Sequence, residues 1–333
     1  MSIRSRPMRP RDVRGCVEII AEHPIVGLRY AGAIAHLADA WTRCLDSDAF
    51  HGSTFEETHG SRVRLLGAGV RAFVSDDFIR EVKTPPFFWF GPEIAKRVAN
   101  GRSPLLSDKK VREANSSTGL NLLIWEGCLR VEDSSRPEVH REIGDALMAD
   151  HRGFLIREYV VQAAVPEVLH VLMNAGAGSF GHDGRYVPIA KQDLPQLFLK
   201  PHVVGCTRQM AIKQMGAWLS NLFLYDPPRF EFRPSEQKLL LVALRGATDD
   251  ALCDELGVSR SAIKKSWQAI YERVASRDPD LIPEVPSHEQ YDAAKRGKQK
   301  KHRLLAYLRD HLEELRPVSS SVFRRSEPRS LTE

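Results

Sequence analysis

The chain has 333 residues, 42% of them apolar and 27% charged, with a net charge of +5. That length and composition exclude a disordered or fibrous chain and point to more than one domain, each with a core of its own. So small a net charge excludes a polycation, so any affinity for polyanions has to come from local patches.

Cys16, Cys44, Cys128, Cys206 and Cys253 are scattered, odd in number and without a C-x-x-C pair. This usage fits free thiols in a reducing compartment and not a disulfide framework. No apolar run has signal-peptide or membrane-spanning length, so a cytoplasmic location without a membrane partner is expected.

In chain order, the pattern predicts a strand over residues 2–8 and a helix from residue 10 with Val13, Val17, Ile20 and Ala21 inward. A second helix is predicted over 31–45. Short apolar runs over 53–74, with Gly67 and Gly69 between them, predict an antiparallel meander that reverses at those glycines. The acids Glu56, Glu57, Asp76 and Asp77 read as solvated strand ends, and His51 and His59 as surface or turn residues. Pro85 and Pro86 precede Phe87, Phe88, Trp89 and Phe90, four consecutive aromatics that suit either a ligand-pocket wall or core filling under a loop.

Helices follow at 91–99 and 108–114, a strand at 120–125, a helix at 137–150 and a strand at 154–164. A helix at 166–174 leads to a short strand pair around 184–189. Gly176, Gly178 and Gly181 form a glycine-rich run, but it follows a helix and reads as a helix-ending turn, not a phosphate loop. Residues 191–230 read as a loop, a helix over 208–223 with Met210, Met215, Trp218, Leu219 and Leu222 on one side, and a linker at Pro227-Pro228.

This order of elements, opened by IRSRPMRPRDVRGCVEII, resembles the GNAT acetyltransferase superfamily over residues 2–190. The resemblance implies a mixed sheet and an acetyl-CoA site where a Gly-rich loop opens the helix after the central strand, its backbone N–H groups holding the pyrophosphate. Here that junction reads LIWEGCLRVEDSSRPEVHREIG, with Glu132 and Asp133 in place of the glycines. A domain that binds a ligand without transferring an acetyl group is therefore expected, with no catalytic residue, cofactor or metal assigned.

Residues 234–274 repeat one grammar: helix, glycine stop, short helix, glycine turn, longer helix. Pro234 and Glu236 suit a first helical turn, Gly246 and Gly257 are stops, and Thr248 and Ser259 are hydroxyl caps. In the third helix Ile263, Trp267, Ile270, Tyr271 and Val274 form an apolar stripe. Ser261, Lys264, Lys265 and Gln268 form a polar row on the opposite face. The segment resembles the LuxR-type helix-turn-helix family at Pro234, Glu236, Leu239, Leu240, Gly246, Thr248, Leu252, Leu256, Val258, Ser259, Ile263 and Lys264. Arg233, Ala262 and Ser266 depart from that family's pattern, so its base preference does not carry over. The resemblance implies binding of double-stranded DNA through Thr248, Ser259, Arg260, Ser261, Lys264, Lys265 and Gln268.

Beyond it, Pro279, Pro283 and Pro286 read as a stiff spacer, followed by the basic run Lys295, Arg296, Lys298, Lys300, Lys301 and Arg303. Leu305, Leu308, Leu312 and Leu315 repeat at coiled-coil spacing, which makes this helix the candidate seam of a homodimer. Residues 317–333 read as a disordered tail.

The expected architecture is an α+β domain with a GNAT-like mixed sheet over 1–227 and an all-α helix-turn-helix domain over 228–278. A basic linker with a C-terminal helix follows over 279–316. The expected function is a transcriptional regulator that senses a small-molecule or protein effector, with RNA polymerase as a further candidate partner. The alternative is an N-acetyltransferase-like enzyme with an appended DNA-binding or docking domain.

Overall fold

Residues 2–163, 166–180, 186–187, 203–282 and 293–317 are described by a computed structural model. The chain forms two units, Met1–Leu224 and Tyr225–Glu333.

The first unit is built on one sheet. Its strands are β1 (Ser2–Pro7), β2 (Phe50–His59), β3 (Arg62–Val74), β4 (Leu120–Leu129), β5 (Ile156–Gln162), β6 (Gly178–Phe180), β7 (Tyr186–Val187) and β8 (Val203–Thr207), in the order β1-β2-β3-β4-β5-β8-β6-β7. Every neighbouring pair is antiparallel except β4 with β5.

Helices cover both faces, which is why the central strands are buried on consecutive residues and not only on alternate ones. On one face α1 (Pro10–Glu22), α2 (Val26–Arg29), α3 (Ile34–Cys44), α4 (Asp76–Val82) and α5 (Phe90–Ala99) share a core with Val70, Ala72, Leu123 and Trp125. On the other, α6 (Asp108–Asn115), α7 (Pro137–His151), α8 (Pro166–Asn174) and α9 (Arg208–Lys213) contribute to a core with Phe73, Leu122, Tyr159 and Val161.

Several expectations change here. Gly67 and Gly69 make no reversal. Both lie inside β3, and the hairpin turns at Gly60, whose φ of 58° is the left-handed conformation glycine adopts freely. A Cβ on Gly67 would lie 2.3 Å from the Cys128 carbonyl oxygen, so glycine there lets β4 approach. In α1 the buried row is Val13, Cys16, Ile19 and Ile20, while Ala21 is exposed. The single helix expected over 208–223 is broken: α9 ends at Lys213, Gly216 has φ 100°, and a 3-10 turn runs Trp218–Phe223. Strand β8 stands where a loop was expected, and helices α2 and α4 had no sequence reading. The strand pair expected around 184–189 lies mostly outside the described residues, as does the tail beyond 317.

The second unit contains α10 (Pro234–Leu244), α11 (Asp249–Leu256), α12 (Arg260–Arg277) and α13 (Ala293–Asp310), followed by a 3-10 turn at Leu312–Leu315. Thr248 Oγ1 accepts from Ala251 N at 3.2 Å and Ser259 Oγ from Ala262 N at 3.3 Å. Gly257 ends α11 in the left-handed conformation. Ile263, Trp267, Ile270 and Val274 are buried, with Tyr271 stacked on Trp267.

The basic run is not a linker but the first half of α13, where Lys301 pairs with Asp249 at 2.9 Å and lies over the Trp267 ring. The leucine row is not a free seam either. Leu304, Leu308 and Leu315 are buried in the same core as Ile263 and Trp267, and Leu305 and Leu312 pack on it. The buried Glu314 carboxylate ties this end down by accepting from the N–H groups of Arg229 and Phe230, each at 2.9 Å. Burial pushes its pKa up.

Leu308→Ala is expected to destabilise the second unit by about 2–5 kcal/mol, the cost of truncating a buried leucine. Its sedimentation should be unchanged. A normal melting transition with a changed oligomeric state would return the leucines to an interface.

Candidate functional site

The parallel pair is short. Leu120 pairs with Ile156 and Leu123 with Val160, and there the ladder stops although β4 runs on to Leu129. From residue 124 onward β4 is paired only with β3, and Val161 and Gln162 only with β8, among the described residues. The strands part, and one edge of β4 is left with peptide groups that a ligand can pair with.

At the parting β4 carries a bulge. Val70 pairs with Glu126 and Arg71 with Ile124, so Trp125 is the extra residue. A bulge re-aims side chains, and here the consecutive Trp125 and Glu126 both reach the same helical layer. The Trp125 indole donates to the Gly91 carbonyl at 3.0 Å, while Glu126 Oε1 accepts from Arg29 Nη2 at 3.3 Å and from Gly127 N at 3.0 Å. Both ion-pair partners are about nine-tenths buried. The Arg29 guanidinium lies 4.8 Å from the centroid of Trp89, and its buried Nε has no hydrogen-bond partner among the described residues. Tyr30 is fully buried next to them; burial first, then the Glu126 charge, push its pKa well up, so it stays protonated. Nearby His23 is pushed down by burial and by Arg29. Sequence reading missed Glu126, Arg29 and Tyr30, because they are far apart in the chain and match no motif.

The aromatic run crosses this opening. The Gln162 carboxamide at the end of β5 donates from Nε2 to the Phe88 carbonyl at 2.7 Å and accepts the Phe90 N–H at Oε1 at 2.9 Å. With the Trp125–Gly91 bond, residues 88–91 thus bridge both parted strands. Phe90 is core, whereas Phe87, Phe88 and Trp89 are half-buried. Gly91 is needed for this approach: a Cβ there would lie 2.4 Å from the Tyr30 hydroxyl.

At the start of α7, Glu57, Asp133, Arg64 and Arg136 form one ion cluster. Arg136 reaches Glu57 at 2.7 Å, Asp133 at 2.9 Å and Glu138 at 2.9 Å. Arg64 reaches Asp133 at 2.8 Å, Glu57 at 3.2 Å and Glu132 at 3.5 Å. Glu57 is therefore not a solvated strand end but buried, as is Glu56, which pairs with Arg6. Arg136, against the opposing effect of burial, holds the Glu57 carboxyl at about 2, with help from His59 and Arg64. His51 is not a surface residue either; its ring stacks edge-on with Phe73, His151 and Phe154. Asp76 and Asp77 open α4, where Asp76 accepts from Asn121 at 2.8 Å and pairs with Arg157. Among the described residues no cluster of His, Cys, Asp and Glu is placed to hold a metal ion, and no helix is long and apolar enough to cross a membrane.

In the second unit Thr248, Ser259, Arg260, Ser261, Lys264, Lys265 and Gln268 are all exposed. Gln268 bonds Glu272 at 3.0 Å, and Arg260 lies 3.8 Å from Asp250.

No family model, of LuxR type or any other, matches the chain, and no curated protein matches it. Solved structures do. One is described as histone acetyltransferase HPA2 and related acetyltransferase from Corynebacterium glutamicum, at 11% identity over 62% of this chain and 95% of the other, with a TM-score of 0.36. Another is spermidine N-acetyltransferase from Vibrio cholerae in complex with CoA and spermine, at 10% identity over 65% and 98%, also with a TM-score of 0.36. The similarity lies in the N-terminal part and concerns GNAT-type acetyltransferases.

The reading of the chain as a LuxR-like, DNA-binding transcription regulator is corrected: no helix-turn-helix family model matches it. The physical reason is that hydroxyl caps and a left-handed glycine end any pair of short packed helices; they specify a turn, not a partner.

Two outcomes test the site. Gln162→Leu leaves the Phe90 N–H and the Phe88 carbonyl without their bonds and should cost about 1–3 kcal/mol, read as a lower Tm; an unchanged Tm would mean the bridge does not hold the strands. The Glu57 pKa is depressed on folding, so its stabilisation is present above the ordinary value of 4.5 and is lost as pH falls through about 2. The Tm gap between wild type and Glu57→Gln should therefore be widest near neutrality and close toward that low pH. A gap that widens on acidification would contradict the assignment.

Proposed function

We propose that the chain is an N-acetyltransferase-like enzyme that acts at the opening between β4 and β5, with the second unit as an appended docking domain. The observation that carries this reading is the parting of the parallel strands beside the bulge that delivers Glu126. The free edge of β4 suits an extended acyl donor bonded through its amides, and the half-buried Phe88 and Trp89 give the opening an apolar wall.

In acyl transfer to an amine, the nitrogen attacks the acyl carbonyl, a C–N bond forms and the bond to the leaving group breaks. Glu126 is the group placed to take the proton the amine loses, while solvent returns one to the leaving group. Arg29 holds that carboxylate in place, and Trp89 holds Arg29. The exposed polar row of α12 is the face on which docking is proposed.

A second reading, a domain that binds a ligand without acyl transfer, is favoured by one observation: Glu126 is already engaged by Arg29 and by the Gly127 N–H.

The test is consumption of an acyl thioester in the presence of primary amines. Turnover is expected, with Glu126→Gln reducing kcat by roughly 10²–10⁴ at a preserved fold, the usual contribution of a general base. A folded wild type that consumes no thioester with any amine would sink the enzyme reading and leave the binding domain.

A further inference from the structure

The nucleotide part of acetyl-CoA, the cofactor implied by the GNAT resemblance, does not fit the place where that fold would hold it. A helix N-terminus binds a phosphate through unsatisfied N–H groups and the positive end of its dipole. Here five of the N–H groups around the helix start are already used. Those of Asp133, Ser134 and Arg136 donate to the carbonyls of Arg130, Val131 and Asp133, and those of Val139 and His140 to Arg136. Residue 137 is proline and has no N–H to offer.

The two cations at this place are used as well. Arg64 and Arg136 are bound by Glu57, Asp133, Glu132 and Glu138, so the cluster carries more acid than base even with His59 protonated. One oxygen of the buried Asp133 carboxylate, Oδ2, has no hydrogen-bond partner among the described residues. A diphosphate would meet like charge here.

We infer that the start of α7 is closed to a nucleotide diphosphate, and that the donor taken at the β4/β5 opening is an acyl-pantetheine arm recognised without its nucleotide. The second half of this inference rests on the acyl-transfer reading above; the first half does not. Glu57 and Asp133 are then specificity-determining residues: they occupy the arginines that a diphosphate would need.

The experiment has two arms, both on the full chain. Calorimetry with inorganic pyrophosphate should show no binding by the wild type up to about 10 mM. The Glu57→Gln, Asp133→Asn double variant, which releases both arginines from their buried partners and leaves them only Glu132 and Glu138, should bind it at least about tenfold more tightly than that limit. If the double variant does not fold, the wild-type titration still decides. Submillimolar pyrophosphate binding by the wild type, lost in Arg136→Ala, would overturn the closure.

In the second arm, S-acetylpantetheine and acetyl-CoA should bind with affinities within about threefold of each other. A preference for acetyl-CoA of roughly thirtyfold or more would show that the nucleotide is recognised and overturn the inference. Binding of neither would remove the acyl-donor reading of the opening, while the pyrophosphate arm would still decide the closure.

Discussion

One carboxamide organises the first unit. A parallel strand pair that parts in the middle of a sheet exposes backbone donors and acceptors on both edges, and such groups are costly when dry and unpaired. Gln162, at the end of β5, bonds the backbone of the loop that spans the parting on either side of Trp89. The indole of Trp125 does the same from β4. The loop that spans the parting is therefore bonded to both strands, and the aromatics it carries are fixed at the opening. The Glu126–Arg29–Trp89 chain of contacts depends on that placement, because Trp89 sits between the two bonded residues of the bridge.

The bulge in β4 and the segment past the strand's end have different electrostatic character. At the bulge, one carboxylate and one guanidinium balance each other inside an apolar shell. Past the end of the strand, Glu57, Glu132, Asp133 and Glu138 outnumber Arg64 and Arg136. Each arginine there serves several carboxylates through separate N–H groups, an arrangement that suits guanidinium geometry and that a lysine would not reproduce. The site is thus open along a strand edge and closed at a helix start, which orders the ligand chemistry it can accept.

Much of the fold was legible in the sequence, and the parts that were not share a cause. Periodicity marked α5, α7 and α8 because each has a single buried face and clear end signals such as Pro137 and Pro166. It misplaced the hairpin because Gly67 looks like a turn residue, whereas its role is to admit the carbonyl of Cys128 on the neighbouring strand, and a contact with another strand is invisible locally. The acids at 132 and 133 were read at the right place, but their partners were not, since Glu57 and Arg64 come from a different hairpin. The aromatic run at 87–90 was recognised as a wall or a core and proves to be divided, Phe90 in the core and the others at the opening. Glu126 was not singled out because nothing in LIWEGCL marks it until the bulge turns it inward. In the second unit the caps and the apolar stripe of α12 were legible. The destination of the leucines was not, since the same spacing serves a seam between two chains and a core within one.

The central claim is that ligand enters along the free edge of β4, beneath the bridge at 88–91. Backbone hydrogen–deuterium exchange, followed with and without S-acetylpantetheine, tests it most directly. The account predicts slowed exchange in residues 124–129 and in the bridge, with the helices of the second unit unchanged. Protection confined to the second unit, or to the start of α7, would contradict it.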